Sequence, residues 1–222
     1  MMEHVIQVVT ESFWKILIPG ITMTIPLTAI SFALALVIAV TVALIQYAKV
    51  PVLTPLARFY IWIIRGTPLL VQLFVVFYGL PNLGVTLEPF PAAVIVFSVN
   101  EGAYCAETVR SALEAVPKGQ LEAGYCAGLS YLQTVRRIIL PQALRTAFPP
   151  LSNSLISMMK DTSLAANITV AEMFMATQRL AARNFEYLTL YLLVAFIYLM
   201  FSTVLTKLQA YGEKRLRASQ GE

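Results

Sequence analysis

Residues 122–128 have the sequence EAGYCAG, and after nine further residues the sequence IILP follows at 138–141. Both segments belong to a polar island between long apolar segments. Because glycine and proline interrupt helices, the pattern predicts a short helix from about Gly119, a break at Gly128 and a second helix that ends at Pro141. A short acidic helix between apolar segments indicates a surface that contacts another protein.

The composition is typical of a membrane protein. Hydrophobic residues make up 58% of the 222 residues and charged residues 13%, about half the charged share of a soluble domain. The mean hydropathy is +0.73, so a soluble fold would leave too much apolar surface in water. No linker rich in glycine or serine and no internal repeat divides the sequence. We therefore predict an all-α membrane protein with one domain over residues 1–222.

Five membrane spans are predicted from the apolar segments. They cover about residues 16–47, 56–80, 91–113, 144–164 and 187–206. The first segment exceeds the roughly 20 residues that one straight crossing needs. Its beginning is therefore expected to lie along the membrane interface or to bend near Pro26.

The basic residues predict the orientation of the spans. One side of the membrane receives Lys49, Arg58, Arg110, Lys118, Arg136, Arg137, Arg145, Lys207, Lys214, Arg215 and Arg217, and the other receives Lys15, Arg179 and Arg183. Basic residues accumulate on the cytoplasmic side, so the C-terminus and the loop of about residues 114–143 are expected there, with the N-terminus outside. The basic residues are scattered rather than clustered on one face, which argues against nucleic-acid binding.

The sequence offers no catalytic or metal-binding constellation. It lacks the Gly-x-x-x-x-Gly-Lys-Ser/Thr loop that cradles nucleotide phosphates. The single histidine, His4, lies in the N-terminal tail, and Cys105 and Cys126 are too far apart for a metal motif. We expect no catalytic residue, no metal and no cofactor in this chain, so any ATP and Mg²⁺ would be bound by a separate subunit.

Polar side chains inside the third span indicate a transport pathway, because burying them in hydrocarbon is costly. Asn100, Tyr104, Glu107 and Ser111 recur at helical spacing and therefore share one face. They are candidates to line a substrate pathway.

The fourth span carries a second polar series, Asn153, Ser157 and Lys160, at the same helical spacing. Asn153 and Ser157 are further candidates for the pathway. Lys160 and its neighbour Asp161 are expected at the outer rim of the membrane, where they would form an ion pair or a gate.

Arg65 is a charged residue inside the second span. It would lie roughly 12 Å into that span if the helix begins near Ala57. Pro68 removes a backbone donor, so a carbonyl near Ile64 is expected to be free to face a cavity, as in the broken helices of transporters.

These side chains suit a zwitterionic substrate. Arg65 can bind a carboxylate with two parallel hydrogen bonds. Asn100, Tyr104 and Glu107 can hold an ammonium group. The alternative is that Arg65 and Glu107 form a structural ion pair, and the sequence leaves both interpretations open.

The segment of residues 161–186 is expected outside the membrane. Thr169 and Glu172 have the spacing of a capping box, which predicts a helix from about Val170 to Ala182. This helix would either contact an external binding protein or lie at the interface and shield the top of the helix bundle.

Several motifs in order resemble the membrane subunits of polar amino-acid ABC importers. They are residues 59–60 and 64–70, 103–110, 118–123, 140–145, 153–157 and 160–164. The stretch at 122–141 resembles the EAA loop of those subunits, except that Gly124 replaces the second alanine. Within the family the chain looks most like L-cystine permeases, especially across residues 148–154.

The resemblance implies a type I ABC importer transmembrane domain in the bacterial inner membrane. It implies two copies of an ATPase subunit, a second permease subunit that is identical or homologous, and an external solute-binding protein. It assigns docking on the ATPase to Glu122, Ala123, Gly124, Gly128, Leu140 and Pro141, and adds Thr67 to the pathway.

Two other function classes are weighed against this interpretation. A secondary transporter would need its own ion site and usually an internal repeat. A membrane scaffold would not need polar faces on two spans. The sequence does not determine whether the substrate is cystine, a basic amino acid or glutamine, nor whether the permease is a homodimer or a heterodimer.

Overall fold

A computed structural model describes residues 2–218, and this part of the chain consists of helices and short connections without strands. The α-helices are α1 (Met2–Pro19), α2 (Ile25–Tyr47), α3 (Leu53–Arg65), α4 (Leu69–Phe74), α5 (Pro89–Glu114), α6 (Gly119–Cys126), α7 (Tyr131–Thr134), α8 (Leu140–Asp161), α9 (Met173–Asn184) and α10 (Tyr187–Ala218). Three π-turns, Gly20–Thr24, Val75–Gly79 and Val135–Ile139, and two 3₁₀ segments, Leu80–Leu83 and Thr162–Ile168, join some of them within the described residues.

Two continuous helical stretches in residues 2–218 are long and apolar enough to cross a membrane, namely Glu3–Tyr47 and Tyr187–Leu216. A third candidate is the broken pair Leu53–Arg65 and Leu69–Leu83. The predicted third span corresponds to α5, and the fifth span corresponds to the first part of α10. The number of crossings stays a prediction.

The first helical stretch begins near the N-terminus, well before residue 16, where the predicted span starts. It continues as helix from Met2 to Tyr47. The interfacial start or the bend expected near Pro26 stays a prediction. Next to Pro26 lies the π-turn Gly20–Thr24, in which the Ile25 amide bonds to the Gly20 carbonyl five residues back. Proline lacks an amide donor and clashes with the carbonyl four residues before it, and the wider turn relieves both problems.

The prediction that Pro141 ends a helix is wrong. The π-turn Val135–Ile139 leads directly into α8, and the Leu140 amide bonds to the Val135 carbonyl. Pro141 therefore lies inside a helix that runs on to Asp161. As before Pro26, the wider turn accommodates the ring and the missing donor.

The second predicted span is broken at Pro68, the proline that was predicted to remove a backbone donor. Helix α3 ends at Arg65, and Pro68 has an extended backbone with φ −65° and ψ 137° before α4. The residue before a proline is disfavoured in the helical region, so the helix stops before Thr67. Arg65 is thus the last residue of α3, directly before the break.

The helix after the fourth span begins three residues later than predicted. Thr169 does not cap it: Thr169 has a left-handed backbone with φ 66° and ends the 3₁₀ segment Thr162–Ile168. Glu172 is the N-cap of α9, and its carboxylate accepts hydrogen bonds from the amides of Phe174 and Met175.

The described residues form two compact units. The first comprises residues 2–33, 68–97 and 155–208, and the second comprises residues 34–67, 98–154 and 209–218. The core of the first unit joins α1, α9 and α10 through Val8, Ile16, Met173, Ala181, Leu190, Leu193, Val194 and Ile197. The core of the second joins α2, α5 and α8 through Ala43, Val109, Ala112, Leu113, Ile139, Ala143 and Ala147. The assignment of one domain stays a prediction.

A fully buried carboxylate connects three helical elements of the first unit. Glu172 is 0% exposed, and it also accepts a hydrogen bond from the Tyr198 hydroxyl of α10 at 3.3 Å. Thr24, in the first π-turn, accepts a hydrogen bond from the Met173 amide next to it. Burial raises the pKa of Glu172, although the hydrogen bonds from Phe174, Met175 and Tyr198 act in the opposite direction. The Glu172 carboxylate therefore joins the start of α9 to α10, beside the first π-turn.

Candidate functional site

A polar cleft of about 570 Å³ lies within the second unit. Arg65, Tyr104 and Glu107 line it together with the hydroxyl residues Thr108, Ser111, Thr146 and Ser154. Residues 104, 107, 108 and 111 share one face of α5 because they follow its helical period. The cleft falls within the size range of small-molecule sites.

Arg65 extends into this cleft from the end of α3. Its guanidinium lies 5.1 Å from the centre of the Tyr104 ring, which is a cation–π contact. Its Nη1 atom is 3.9 Å from Oε2 of Glu107, and 43% of the side chain is exposed. At 3.9 Å the ion pair is longer than a hydrogen bond, so Glu107 leaves hydrogen-bonding capacity on the guanidinium.

The principal partner of Glu107 is Arg110, which the sequence analysis treated only as an orientation signal. Nε of Arg110 donates to Oε1 of Glu107 at 3.2 Å, and Nη2 donates to Oε2 at 3.0 Å. Nη1 of Arg110 donates to Oε2 of Glu114 at 2.7 Å. The spacing i, i+3 and i+7 on one helix was the available signal for this series.

The other predicted pathway residues lie outside the lining of this cleft. Asn100 is 7% exposed on α5. Thr67 follows the end of α3 and donates to the Ile63 carbonyl. Asn153 and Ser157 are exposed on α8, where the neighbouring Ser154 lines the cleft.

Lys160 and Asp161 form the last residues of α8, in the first unit. Lys160 is exposed and Asp161 is partly buried. Their assignment as an outer gate stays a prediction.

The loop that contains EAGYCAG has the predicted helix and break. Helix α6 covers Gly119–Cys126, and Gly128 has a left-handed backbone with φ 77°. Ser130 then caps α7, where Ser130 and Gln133 form a capping box that the sequence analysis missed. The left-handed turn explains the glycine, because a Cβ there would cost roughly 1–2 kcal/mol.

Glu122 and Ala123 are exposed on the surface of α6. Two apolar side chains of the same loop are also exposed, Tyr125 at 49% and Leu132 at 73%. This combination of an acidic residue and exposed apolar groups suits contact with a protein partner. Leu140, by contrast, packs against the core of the second unit, while Pro141 is exposed within the continuous helix.

Gly124 is the buried residue of α6, and its contact with Thr134 explains why it has no side chain. A Cβ on Gly124 would lie 2.6 Å from Oγ1 and 3.0 Å from Cβ of Thr134 and would also overlap its methyl group. Thr134 is fully buried and is held by a hydrogen bond from its hydroxyl to the Ser130 carbonyl. The glycine therefore lets α6 and α7 approach closely, which is more than a small-for-small replacement of alanine.

We expect Gly124→Ala to loosen the loop, because the β-branched Thr134 is stiff and cannot rotate away. Hydrogen–deuterium exchange of residues 119–134 should be faster in this variant. Gly119→Ala is the matched control, since a Cβ at Gly119 meets nothing within 4 Å and alanine favours the helix.

A second substitution tests the contact directly. Gly124→Ala combined with Thr134→Ala should recover part of the lost protection, because the two side-chain atoms that overlap are removed. Equal exchange in Gly124→Ala and Gly119→Ala would contradict the close contact.

Comparisons with known proteins place the chain in a family. Residues 35–218 match the family described as the binding-protein-dependent transport system inner membrane component. The L-cystine transport system permease protein TcyB of Bacillus subtilis (strain 168) is 50% identical over 209 residues, which cover 94% of this chain and 89% of TcyB. The probable amino-acid ABC transporter permease protein YckA of the same organism is 42% identical, over 92% of this chain and 90% of YckA.

The fold has a close counterpart among solved structures. A crystal structure of an amino acid ABC transporter with histidines superposes with a TM-score of 0.86 at 30% identity, over 93% of this chain and 96% of that chain. The chain has the fold of a type I ABC importer transmembrane domain. It is a permease subunit and belongs to the inner membrane components of binding-protein-dependent transport systems.

Proposed function

We propose that this chain is the membrane subunit of an ATP-driven importer for a polar amino acid, with cystine the favoured substrate. The observation that carries the proposal is the cleft in which Arg65, Tyr104 and Glu107 meet. A carboxylate and an ammonium group, the two charges common to all free amino acids, find an opposite charge there. The similarity to TcyB, an L-cystine permease, and to YckA, a probable amino-acid permease, supports this substrate class.

The geometry of the cleft suggests how a zwitterion binds. Its carboxylate would accept two parallel hydrogen bonds from Arg65, whose guanidinium is positioned by the face of Tyr104. Its ammonium would approach Glu107, which lies 3.9 Å from Arg65. The hydroxyl groups of Thr108 and Ser154 line the same cleft and could bind a polar side chain.

Coupling to ATP hydrolysis is assigned to the exposed part of α6. Glu122 and Ala123 are available to a partner protein, whereas Gly124 is inside the loop. We propose that two copies of an ATPase subunit bind ATP and Mg²⁺ and receive Glu122 in a surface groove. An external solute-binding protein and a second permease subunit, identical or homologous, complete the transporter, with the N-terminus outside and the C-terminus in the cytoplasm.

The test is reconstitution of the complete transporter in liposomes, with uptake measured from a panel of cystine, arginine, histidine and glutamine. We expect ATP-dependent uptake of at least one of them, cystine first. Glu122→Lys should reduce uptake and the amount of ATPase that co-purifies by about tenfold or more, because it reverses a charge at the proposed contact.

Glu3→Lys is the matched control, since Glu3 is an exposed glutamate near the N-terminus, more than 100 residues before the proposed docking surface in the sequence. It should leave both quantities unchanged. Uptake and ATPase retention that survive Glu122→Lys would overturn the assignment of the docking residue. Failure of the unaltered transporter to import any amino acid of the panel would overturn the substrate class.

A further inference from the structure

A continuous series of charged contacts follows one face of α5. It begins with Arg65 at 3.9 Å from Glu107, continues through the two hydrogen bonds from Arg110 to Glu107, and ends with the hydrogen bond of 2.7 Å from Arg110 to Glu114. The charges alternate along the series, so each member stabilises its neighbours.

Glu107 belongs to two clefts of the second unit. It lines the cleft of about 570 Å³ with Arg65, and it lines a second cleft of about 430 Å³ with Arg110 and Glu114. Its carboxylate is therefore accessible to a ligand from the first cleft and bound by Arg110 from the second.

The three hydrogen bonds of Arg110 divide unequally between its partners. Two go to Glu107, whose side chain is 27% exposed, as is that of Arg110. One goes to Glu114, which is 54% exposed, so solvent screening weakens this contact. A cation that competes for Glu107 would weaken the pair of Arg110 with Glu107, and Arg110 would then be held mainly by Glu114.

The series ends where the coupling loop begins. Glu114 is the last residue of α5, and α6, which carries Glu122, begins at Gly119. A change in how Arg110 holds Glu114 therefore acts next to the short connection of residues 115–118 between α5, which lines the substrate cleft, and the docking helix α6.

We infer that Arg110 is a positioning residue that links occupancy of the substrate cleft to the coupling loop. When the ammonium group of the substrate approaches Glu107, it competes with Arg110 for that carboxylate. Arg110 is then held by Glu114 at the end of α5. The inference rests on the proposed function, because it takes a zwitterion in the first cleft as the signal.

The test uses the complete transporter in liposomes, with ATP hydrolysis measured with and without the substrate-loaded binding protein. Glu114→Gln removes the charge at the end of the series and leaves the substrate cleft intact. We expect unchanged basal hydrolysis, an uptake KM within twofold of the unaltered transporter, and stimulation by the loaded binding protein that falls by about fivefold or more. A purely structural role would lower basal and stimulated hydrolysis together.

Arg110→Lys is the second variant, and it keeps the positive charge. A lysine ammonium lacks the planar fork that reaches both carboxylates, so it should hold Glu107 or Glu114 but not both. We expect a smaller loss of stimulation in the same direction. This variant decides the question if Glu114→Gln does not assemble.

Glu88→Gln is the matched control, since Glu88 is an exposed glutamate directly before the other end of α5. Stimulation in Glu114→Gln equal to that of Glu88→Gln, or full stimulation in Arg110→Lys, would overturn the inference. If the unaltered transporter imports an amino acid and both variants are stimulated normally by the loaded binding protein, only the role of Arg110 is refuted. An unaltered transporter that imports none refutes the proposed function and the inference with it.

Discussion

Replacing Arg65 with alanine is expected to reduce amino-acid uptake to background while the transporter still assembles. The substitution removes the cation of the cleft and its contact with Tyr104, and it leaves Glu107 with Arg110 as its charged partner. Losing one member of a hydrogen-bonded charge pair costs about 2–5 kcal/mol, which corresponds to a fall in substrate affinity of roughly 30-fold to several thousandfold. Uptake of radiolabelled substrate into liposomes measures the effect.

Arg215→Ala is the control for Arg65→Ala, because Arg215 is an exposed arginine that also contacts a tyrosine ring, that of Tyr211, and lines neither of the two clefts. It should transport normally. Size-exclusion chromatography of both variants with the ATPase separates binding from assembly. If Arg65→Ala fails to assemble, the pair of Arg65 with Glu107 is structural, and the substrate must be bound elsewhere.

Glu172→Ala is expected to produce the largest loss of stability among the substitutions considered. It would leave the amides of Phe174 and Met175 and the hydroxyl of Tyr198 without their shared acceptor in a fully buried site. Each unsatisfied buried group costs about 1–3 kcal/mol, and the free energy of unfolding should fall by about 3–5 kcal/mol. For a chain of this size that corresponds to a decrease in Tm of about 6–20 °C.

The Tm of Glu172→Ala can be measured in detergent by size-exclusion chromatography after heating. Glu11→Ala is the matched control, since Glu11 is exposed on α1 in the same unit. Glu172→Gln should lie between the two, because one amide oxygen can still accept but the amide nitrogen faces a donor. Equal Tm values for Glu172→Ala and Glu11→Ala would show that the buried carboxylate does not hold these helices together.

Most of the prediction of the site came from the helical spacing of polar residues on α5. Tyr104, Glu107 and Ser111 were predicted on one face, and the structure places all three in the same cleft. Arg65 was also placed with Glu107, although the sequence could not decide between a substrate contact and an ion pair. Helix α6 and the turn at Gly128 followed directly from local residue preferences.

Contacts between segments far apart in the sequence were the part that could not be predicted. The capping pattern at Thr169 favoured the wrong residue because the burial of Glu172 depends on Tyr198, 26 residues later. Arg110 was misjudged for a different reason. It lies near the end of a span, and a count of basic residues treats any such arginine as an orientation signal. Its two carboxylate partners, Glu107 and Glu114, are apparent only when residues three and four positions away on the same helix face are considered.

The prediction for Pro141 overestimated the effect of a proline on a helix. Pro26, Pro81 and Pro141 each lie two residues after one of the π-turns found in residues 2–218, and Pro26 and Pro141 lie within uninterrupted helix. A helix that can widen one turn ahead of a proline need not end there.

The wider turns also bear on how related chains differ in length. A π-turn contains one residue more than the α-turn it replaces, so a single deletion there would restore the ordinary helical register without shifting the segments on either side. Gaps of one position in an alignment of these permeases should therefore gather at residues 20–24, 75–79 and 135–139. Elsewhere in the same helices, such a gap would rotate every following side chain by about 100° and remove it from its neighbours.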